Sequence, residues 1–256
     1  MDKLNITNPF NAPVYYLETV SSTMDISRKL SAAGEPHGTV ITADFQEAGR
    51  GRIRSRTWEM EKNTSLPFTI LLRYPRIENI PRALTLRTGL AVSLAIEDFA
   101  PYLKGSVFVK WPNDIMIGSK KNAGILCEAD EGTVYLGIGI NVSQKEFPSH
   151  LREKAASIIT NVDSGTNVTG DRFILLEKVL SRLYNEIETP LENDWRLRLE
   201  KRLYKINSHV AFIDGAADNG REVKGVLKGI GNDGDILIAL DGGEEVKSFF
   251  TGELKF

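Results

Sequence analysis

The sequence predicts an α+β protein, with a mixed sheet and helices over residues 1–205 and a small all-β unit over 206–256. Three observations carry this. Up to residue 205, apolar strand-like runs are interleaved with long stretches of helical periodicity. Beyond 206 the helical period disappears, and short strands joined by Gly- and Asp-rich turns replace it. A chain of 256 residues has room for one large domain and one small appendage.

In order along the chain, "VYYLETV" (14–20) reads as a strand. "SSTMDISRKLSAAG" (21–34) reads as a helix with a capping box made by Ser22 and Asp25 and a stop at Gly34. "GTVITADFQ" (38–46) and "SLPFTILLRY" (65–74) are β-rich, and Pro67 is expected to keep the second at an edge or bulge because it donates no ladder hydrogen bond. Leu86, Leu90, Leu94 and Ile96 give residues 82–103 a helical period that ends at Pro101. "SVFVKW", "AGILCEAD" and "TVYLGIGINV" follow as three strands. An amphipathic helix over 171–188 carries Phe173, Leu176, Leu180, Leu183 and Ile187 on one face, and a second helix is expected over 191–204. In the last segment, "GIGNDG" (229–234) spells a dinucleotide-binding pattern but is followed by the strand "DILIAL" rather than a helix, so it reads as a hairpin turn.

Composition excludes several classes. The net charge is −2, so no general nucleic-acid-binding surface is expected and any anion site must be local. The single Cys127 permits no internal disulfide and no zinc ribbon; it reads as packing inside a strand rather than a nucleophile. No secretory core and no apolar run near the bilayer-spanning ~20 residues is present, which predicts a soluble cytoplasmic protein. A monomer or weak homodimer is expected, though not from any feature of the sequence.

Against that neutral background, "QEAGRGRIRSRTW" (46–58) places Arg50, Arg52, Arg54 and Arg56 at every second position. One reading is a solvated strand. The other starts from Gly49 and Gly51, which let a ligand approach the backbone, and from the alternation, which in an extended chain aims four guanidinium forks to one side. Trp58 then either covers a ligand ring or fills the core. A second cluster, "VKWPNDIMIGSKKNAGILCE" (109–128), joins Lys110, Trp111, Pro112, Asn113 and Asp114 to Lys121. A third, "GIGIN" (137–141), alternates glycine along a strand, which suits either close packing or a ligand lying on the backbone.

"SST" (21–23), "FQEAGRGR" (45–52), "KWPND" (110–114), "KNAGIL" (121–126) and "GIGIN" (137–141) occur here in that order. The set resembles the biotin protein ligases, across most of residues 15–145, and 206–256 resembles that family's small SH3-like C-terminal barrel. The resemblance implies a biotin/lipoate protein ligase-like fold, akin to class II aminoacyl-tRNA synthetases. It implies a two-step reaction: biotin and ATP, with Mg²⁺, give biotinyl-5′-AMP, and biotin then passes to a lysine of the biotin carboxyl carrier domain of a carboxylase. No resident metal site is expected.

By the same resemblance, Ser22, Thr23, Met24 and Gln46 surround the biotin ring end. Gly49, Arg50, Gly51 and Arg52 form the loop over the ligand, Gly124 and Ile125 pack beside it, and Gly137 and Gly139 lie beneath it. Arg50, Arg52, Trp58, Lys110, Asn113, Lys121 and Asn141 are implied at the nucleotide side, with Arg52, Lys121 and Asp114 as the catalytic groups. The chain departs from the family pattern at Met24 (usually Asn), at Pro67 and Asn122, and in one extra residue between "GRGR" and Trp58. A lipoate or octanoyl transfer enzyme of the same superfamily is the neighbouring alternative, and a nucleic-acid module is the distant one. The C-terminal segment weighs against the latter, because Arg221, Lys224, Lys228, Lys247 and Lys255 are outnumbered there by acidic residues. About twenty residues before Ser21 are too few for a helix-turn-helix unit, so no DNA binding is expected.

Overall fold

The computed structural model describes every residue except 54, 162–170, 190–194, 216–219, 244 and 256. Arg54 and the start of the expected helix over 191–204 therefore lie outside the described residues. The larger sheet takes its strands from β1 (Asp2–Lys3), β2 (Val14–Val20), β3 (Thr39–Gln46), β4 (Ser65–Arg73), β5 (Val107–Lys110), β6 (Asp114–Ile117), β7 (Lys120–Asp130) and β8 (Thr133–Asn141). Their order across the sheet is β1-β2-β3-β4-β8-β7-β6-β5. Among the described strands of this sheet, only the β2–β3 ladder is parallel, joined through helix α1 (Thr23–Ala32).

Strand alternation divides the β4 side chains between two layers. Leu66, Phe68, Ile70 and Leu72 enter the main core with helices α2 (Leu84–Phe99) and α3 (Arg172–Ile187). Leu71 faces the other way, onto Met24 of α1 and Tyr135 of β8. Phe68 is wholly buried, and removing such a ring costs about 3–5 kcal/mol. The helix expected over 82–103 stops at Phe99, and Pro101–Leu103 forms a single 3-10 turn, because proline cannot supply the next helical N–H.

Four expectations are corrected here. Pro67 sits inside the sheet, opposite Gly139 of β8, and the β3–β4 register ends one residue before it would need a partner on that side. Its carbonyl accepts from the Thr42 hydroxyl at 2.9 Å. The second correction is β6, which occupies residues between two expected strands where none was expected. The third is Cys127, which is exposed on β7 rather than packed; the surrounding protein mass and the Glu128 carboxylate push its thiol up to about 11. Finally, Ser22 accepts from the Met24 N–H, but Asp25 does not complete the capping box. It turns to Arg50 instead, at 2.8 Å.

Helix α4 (Trp195–Glu200) leads into the second sheet, built from β9 (His209–Asp214), β10 (Arg221–Ile230), β11 (Ile236–Leu240), β12 (Val246–Phe249) and β13 (Gly252–Lys255). It is antiparallel throughout, in the order β12-β11-β10-β9-β13. Among the described residues no ladder joins β12 to β13, so the expected barrel is present as an open five-stranded sheet. "GIGNDG" is the β10–β11 hairpin, with Gly231 donating to the Asp235 carbonyl. Gly234 in that hairpin accepts from the Trp111 indole N–H at 2.9 Å, and Phe212 packs on the same indole. The small sheet thereby shares the core of the large one.

Candidate active site

A cleft holding about 510 Å³ of empty space, part of it open to solvent, lies on the α1 side of the sheet where β8, β7 and the arginine loop meet. Ser22, Thr23, Met24 and Gln46 line it. They are placed by the β2–α1–β3 unit, which brings the helix N-terminus and the end of β3 together. The Gln46 Oε1 accepts from the Thr23 N–H at 2.9 Å and from the Thr23 hydroxyl at 3.0 Å, and Thr69 donates to Thr23 from beneath at 2.8 Å. Nothing in the sequence singled out Thr69, a buried strand threonine.

Gly124, Gly137 and Gly139 form the floor, with Ile125 beside them. Side chains of the protein itself press on these glycines. A Cβ on Gly137 would lie 3.0 Å from the Met24 sulfur, and one on Gly139 would lie 2.7 Å from the Trp58 indole. The bare strand is thus used for close packing by Met24 and Trp58, and both of those residues also line the cleft. The Trp58 Nε1 is buried with no hydrogen-bond partner among the described residues.

Arg50, Gly51, Arg52, Asn113 and Lys121 also line the cleft. The arginine segment is not the extended strand expected. Gly51 donates to the Arg56 carbonyl, Arg56 to that of Ile53, and Trp58 to that of Gly49, so the segment doubles back as a hairpin loop. The guanidinium groups accordingly separate. Arg50 pairs with Asp25, and Arg56 makes a bidentate pair with Glu253. Arg52 donates to the neutral Gly252 carbonyl at 3.0 Å, and no described carboxylate lies within ion-pairing distance of it.

Lys121 reaches the cleft from β7 and pairs with Asp114 at 2.6 Å, with its ammonium 5.9 Å from the Trp58 ring centre. The Asn113 side chain donates to the Ile125 carbonyl at 2.8 Å and so ties the "WPN" turn to β7. Burial holds the Lys110 ammonium below the usual lysine range, against the opposing pull of Asp114 and Glu253.

Four expected residues stand outside the lining. Gly49 packs against Trp58 and Gln46 at the base of the loop. Asp114 touches the cleft only through Lys121. Lys110 is the register partner of Asp114 across β5–β6 and is partly buried there. Asn141 is buried beyond the cleft, between Ser65 and the Ala156 carbonyl, because residues 154–158 fold over that end of β8. Phe68, Leu126 and Ile138 line the cleft without having been expected. They are ordinary apolar strand residues and carry no distinguishing signal in the sequence.

The model of the biotin/lipoate A/B protein ligase family matches residues 16–144, half of the chain and every residue lining the cleft. This chain belongs to that family. Among curated relatives, the bifunctional ligase/repressor BirA of Bacillus spizizenii is 31% identical over 94% of this chain and 73% of its own length. The biotin–[acetyl-CoA-carboxylase] ligase of Mycobacterium tuberculosis is 27% identical over 88% of this chain and 82% of its own. A solved biotin protein ligase from Aquifex aeolicus, in complex with biotin and ATP, superposes with a TM-score of 0.78. It is 28% identical over 94% of this chain and 97% of that one. These family members supply the expected fold class, and the open C-terminal sheet is the one departure from the barrel.

Proposed function

We propose that the protein is a biotin protein ligase: it condenses biotin with ATP to biotinyl-5′-AMP and pyrophosphate, then transfers the biotinyl group to a lysine of a carboxylase's biotin carboxyl carrier domain, releasing AMP. The observation that carries this is the polarity of the cleft. Ser22, Thr23 and Gln46 supply hydrogen-bonding groups, Met24, Ile125, Leu126 and the glycine floor supply apolar surface, and Arg50, Arg52 and Lys121 supply cations. A ureido group, a thiophane ring with its alkyl chain, and a carboxylate meeting a phosphate call for the same three chemistries. The names of the curated relatives and the ligands of the solved relatives support the same substrates.

The first step must bring a carboxylate onto a phosphate. Two like charges 4 Å apart repel by about 4 kcal/mol at an effective dielectric of 20, so neutralisation and positioning are the protein's main contribution. Arg52 is the group best placed to supply it, since it gives up only a carbonyl contact to meet an anion. Lys121 can turn from Asp114 to the reacting oxygens. Asp114, once released, can hold the acceptor lysine's ammonium and accept its proton in the second step. Trp58 covers the ligand, and its buried Nε1–H can donate to it. Among the described residues no group of three His, Cys, Asp or Glu could hold a metal. In this reading Mg²⁺ accompanies the nucleotide as its counter-ion.

In this reading residues 1–205 carry both chemical steps and 206–256 support the site from its side. The enzyme works in the cytoplasm, as a monomer or weak homodimer, without DNA. The test is incubation with ATP, Mg²⁺, biotin and a carrier domain, with lipoate as competitor. Biotin on one carrier lysine, unaffected by lipoate, is the expected result; an unlabelled but competent carrier, or preference for lipoate, overturns it.

A further inference from the structure

We infer that Glu253 is a positioning residue for the arginine loop, gripping Arg56 from the second sheet so that Arg50 and Arg52 are presented to the cleft. The loop is a hairpin with two arms. Arg50 and Arg52 lie on the outgoing arm and line the cleft, while Arg56 lies on the return arm, tied to the outgoing one through its carbonyl and the Gly51 N–H at 2.9 Å. Both nitrogens of the Arg56 fork meet both oxygens of Glu253, at 2.7 and 3.0 Å. That geometry fixes direction as well as distance, which a lysine would not do.

The neighbouring residue joins the same contact. Gly252 accepts from Arg52, and it stands at φ +143 with the Ile213 carbonyl 2.2 Å and the Phe212 ring 2.3 Å from where a Cβ would be. Only glycine lets β13 begin this close to β9. The start of β13 therefore touches both arms at once. Burial raises the Glu253 carboxyl, but the Arg56 fork, with Lys110 and Arg52 nearby, overcomes this and keeps it below the usual carboxylate range. These two residues lie outside the stretch matched by the family model, which ends at residue 144. The contact is made between positions far apart in sequence and is absent from the motif set.

The anchoring itself is a property of the empty protein; only its consequence for catalysis rests on the ligase reading. The experiment is limited trypsin digestion of the full-length, ligand-free chain, following cleavage after the loop arginines. Glu253→Gln is expected to speed loop cleavage about fivefold, the scale of one partly exposed ion pair, with cleavage elsewhere and the thermal midpoint unchanged. Glu253→Asp should keep most of the protection, and the swap Arg56→Glu with Glu253→Arg should restore it at the remaining arginines. In the same variants, bound biotinyl-5′-AMP should be lost faster from Glu253→Gln and retained by the swap. Unchanged loop cleavage in Glu253→Gln, or equally faster cleavage along the whole chain, overturns the inference. Faster loop cleavage in a protein whose wild type forms no adenylate upholds the anchor and overturns the ligase reading instead.

Discussion

The Lys121 ammonium and the Asp114 carboxylate lie 2.6 Å apart where Lys121 enters the cleft, each engaging the other. The pair joins the two half-reactions, because the cation needed by the first is stored on the anion needed by the second. Lys121→Met should lower adenylate formation by about 10²–10³-fold, the scale seen when one preorganised charge donor is lost, with little change in stability. Asp114→Asn should leave adenylate formation largely intact and slow transfer to the carrier. Measuring pyrophosphate release and carrier labelling separately distinguishes the two.

Arg52→Gly should leave the fold unchanged, since an exposed loop arginine donating to one carbonyl contributes little to stability. It should loosen retention of the adenylate, so that reactive biotin reaches lysines of unrelated proteins. Labelling of an added bystander protein, with the thermal midpoint as control, checks this; equal bystander labelling by mutant and wild type contradicts it.

Gly139→Ala should displace Trp58, because the added methyl group would sit 2.7 Å from the indole. The backbone there is ordinary extended strand opposite Pro67, so the cost falls on the ring rather than on the sheet. The expected outcome is at least about tenfold weaker ligand binding with a changed tryptophan emission, and only a small drop in stability. Calorimetric titration and fluorescence together read both.

Away from the cleft, Glu97 and Arg202 tie α2 to the chain beyond α4 through two contacts of 2.7 and 2.8 Å. Burial raises the Glu97 carboxyl, but the Arg202 fork and the Gly105 and Val107 N–H groups overcome this and hold it below its ordinary range. Its stabilising contribution is therefore complete above an ordinary glutamate pKa and is lost as pH falls through the lower folded value. Glu97→Gln should cost about 2–3 kcal/mol at neutral pH, somewhat less than a fully buried pair because the arginine is partly exposed. The difference between variant and wild type should shrink in acid. Chemical denaturation at pH 7 and pH 3.5 tests both statements.

Much of the site was legible because its pieces are short and local. "SST" before a helical period, glycines around alternating arginines, and "GIGIN" in a strand each name a backbone geometry as well as a chemistry, and the cleft collects most of their residues. What local pattern could not reveal was the destination of each charge. Alternation suggested four parallel guanidinium groups, yet hairpin closure through Gly51 and Arg56 sent Arg50 to Asp25 and Arg56 to Glu253. Lys110 and Asn141 carried suitable chemistry in suitable motifs, but strand pairing and the covering segment 154–158 removed them from the lining.

By itself the sequence determined most of the order of strands and helices, though not β1 or β6, together with the family resemblance and the set of groups available for anion chemistry. These follow from periodicity, turn residues and ordered motifs, all of which act over a few residues. The tertiary structure alone decided that Pro67 is tolerated in the middle of a sheet, that Cys127 is exposed, that Trp58 lies on bare glycines, and that Arg52 donates to a carbonyl rather than pairing with a carboxylate among the described residues. The physical reason is range: a side chain's ion pair is set by which strands become neighbours, and here Arg56 and Glu253 meet only because β13 pairs with β9 beside the loop.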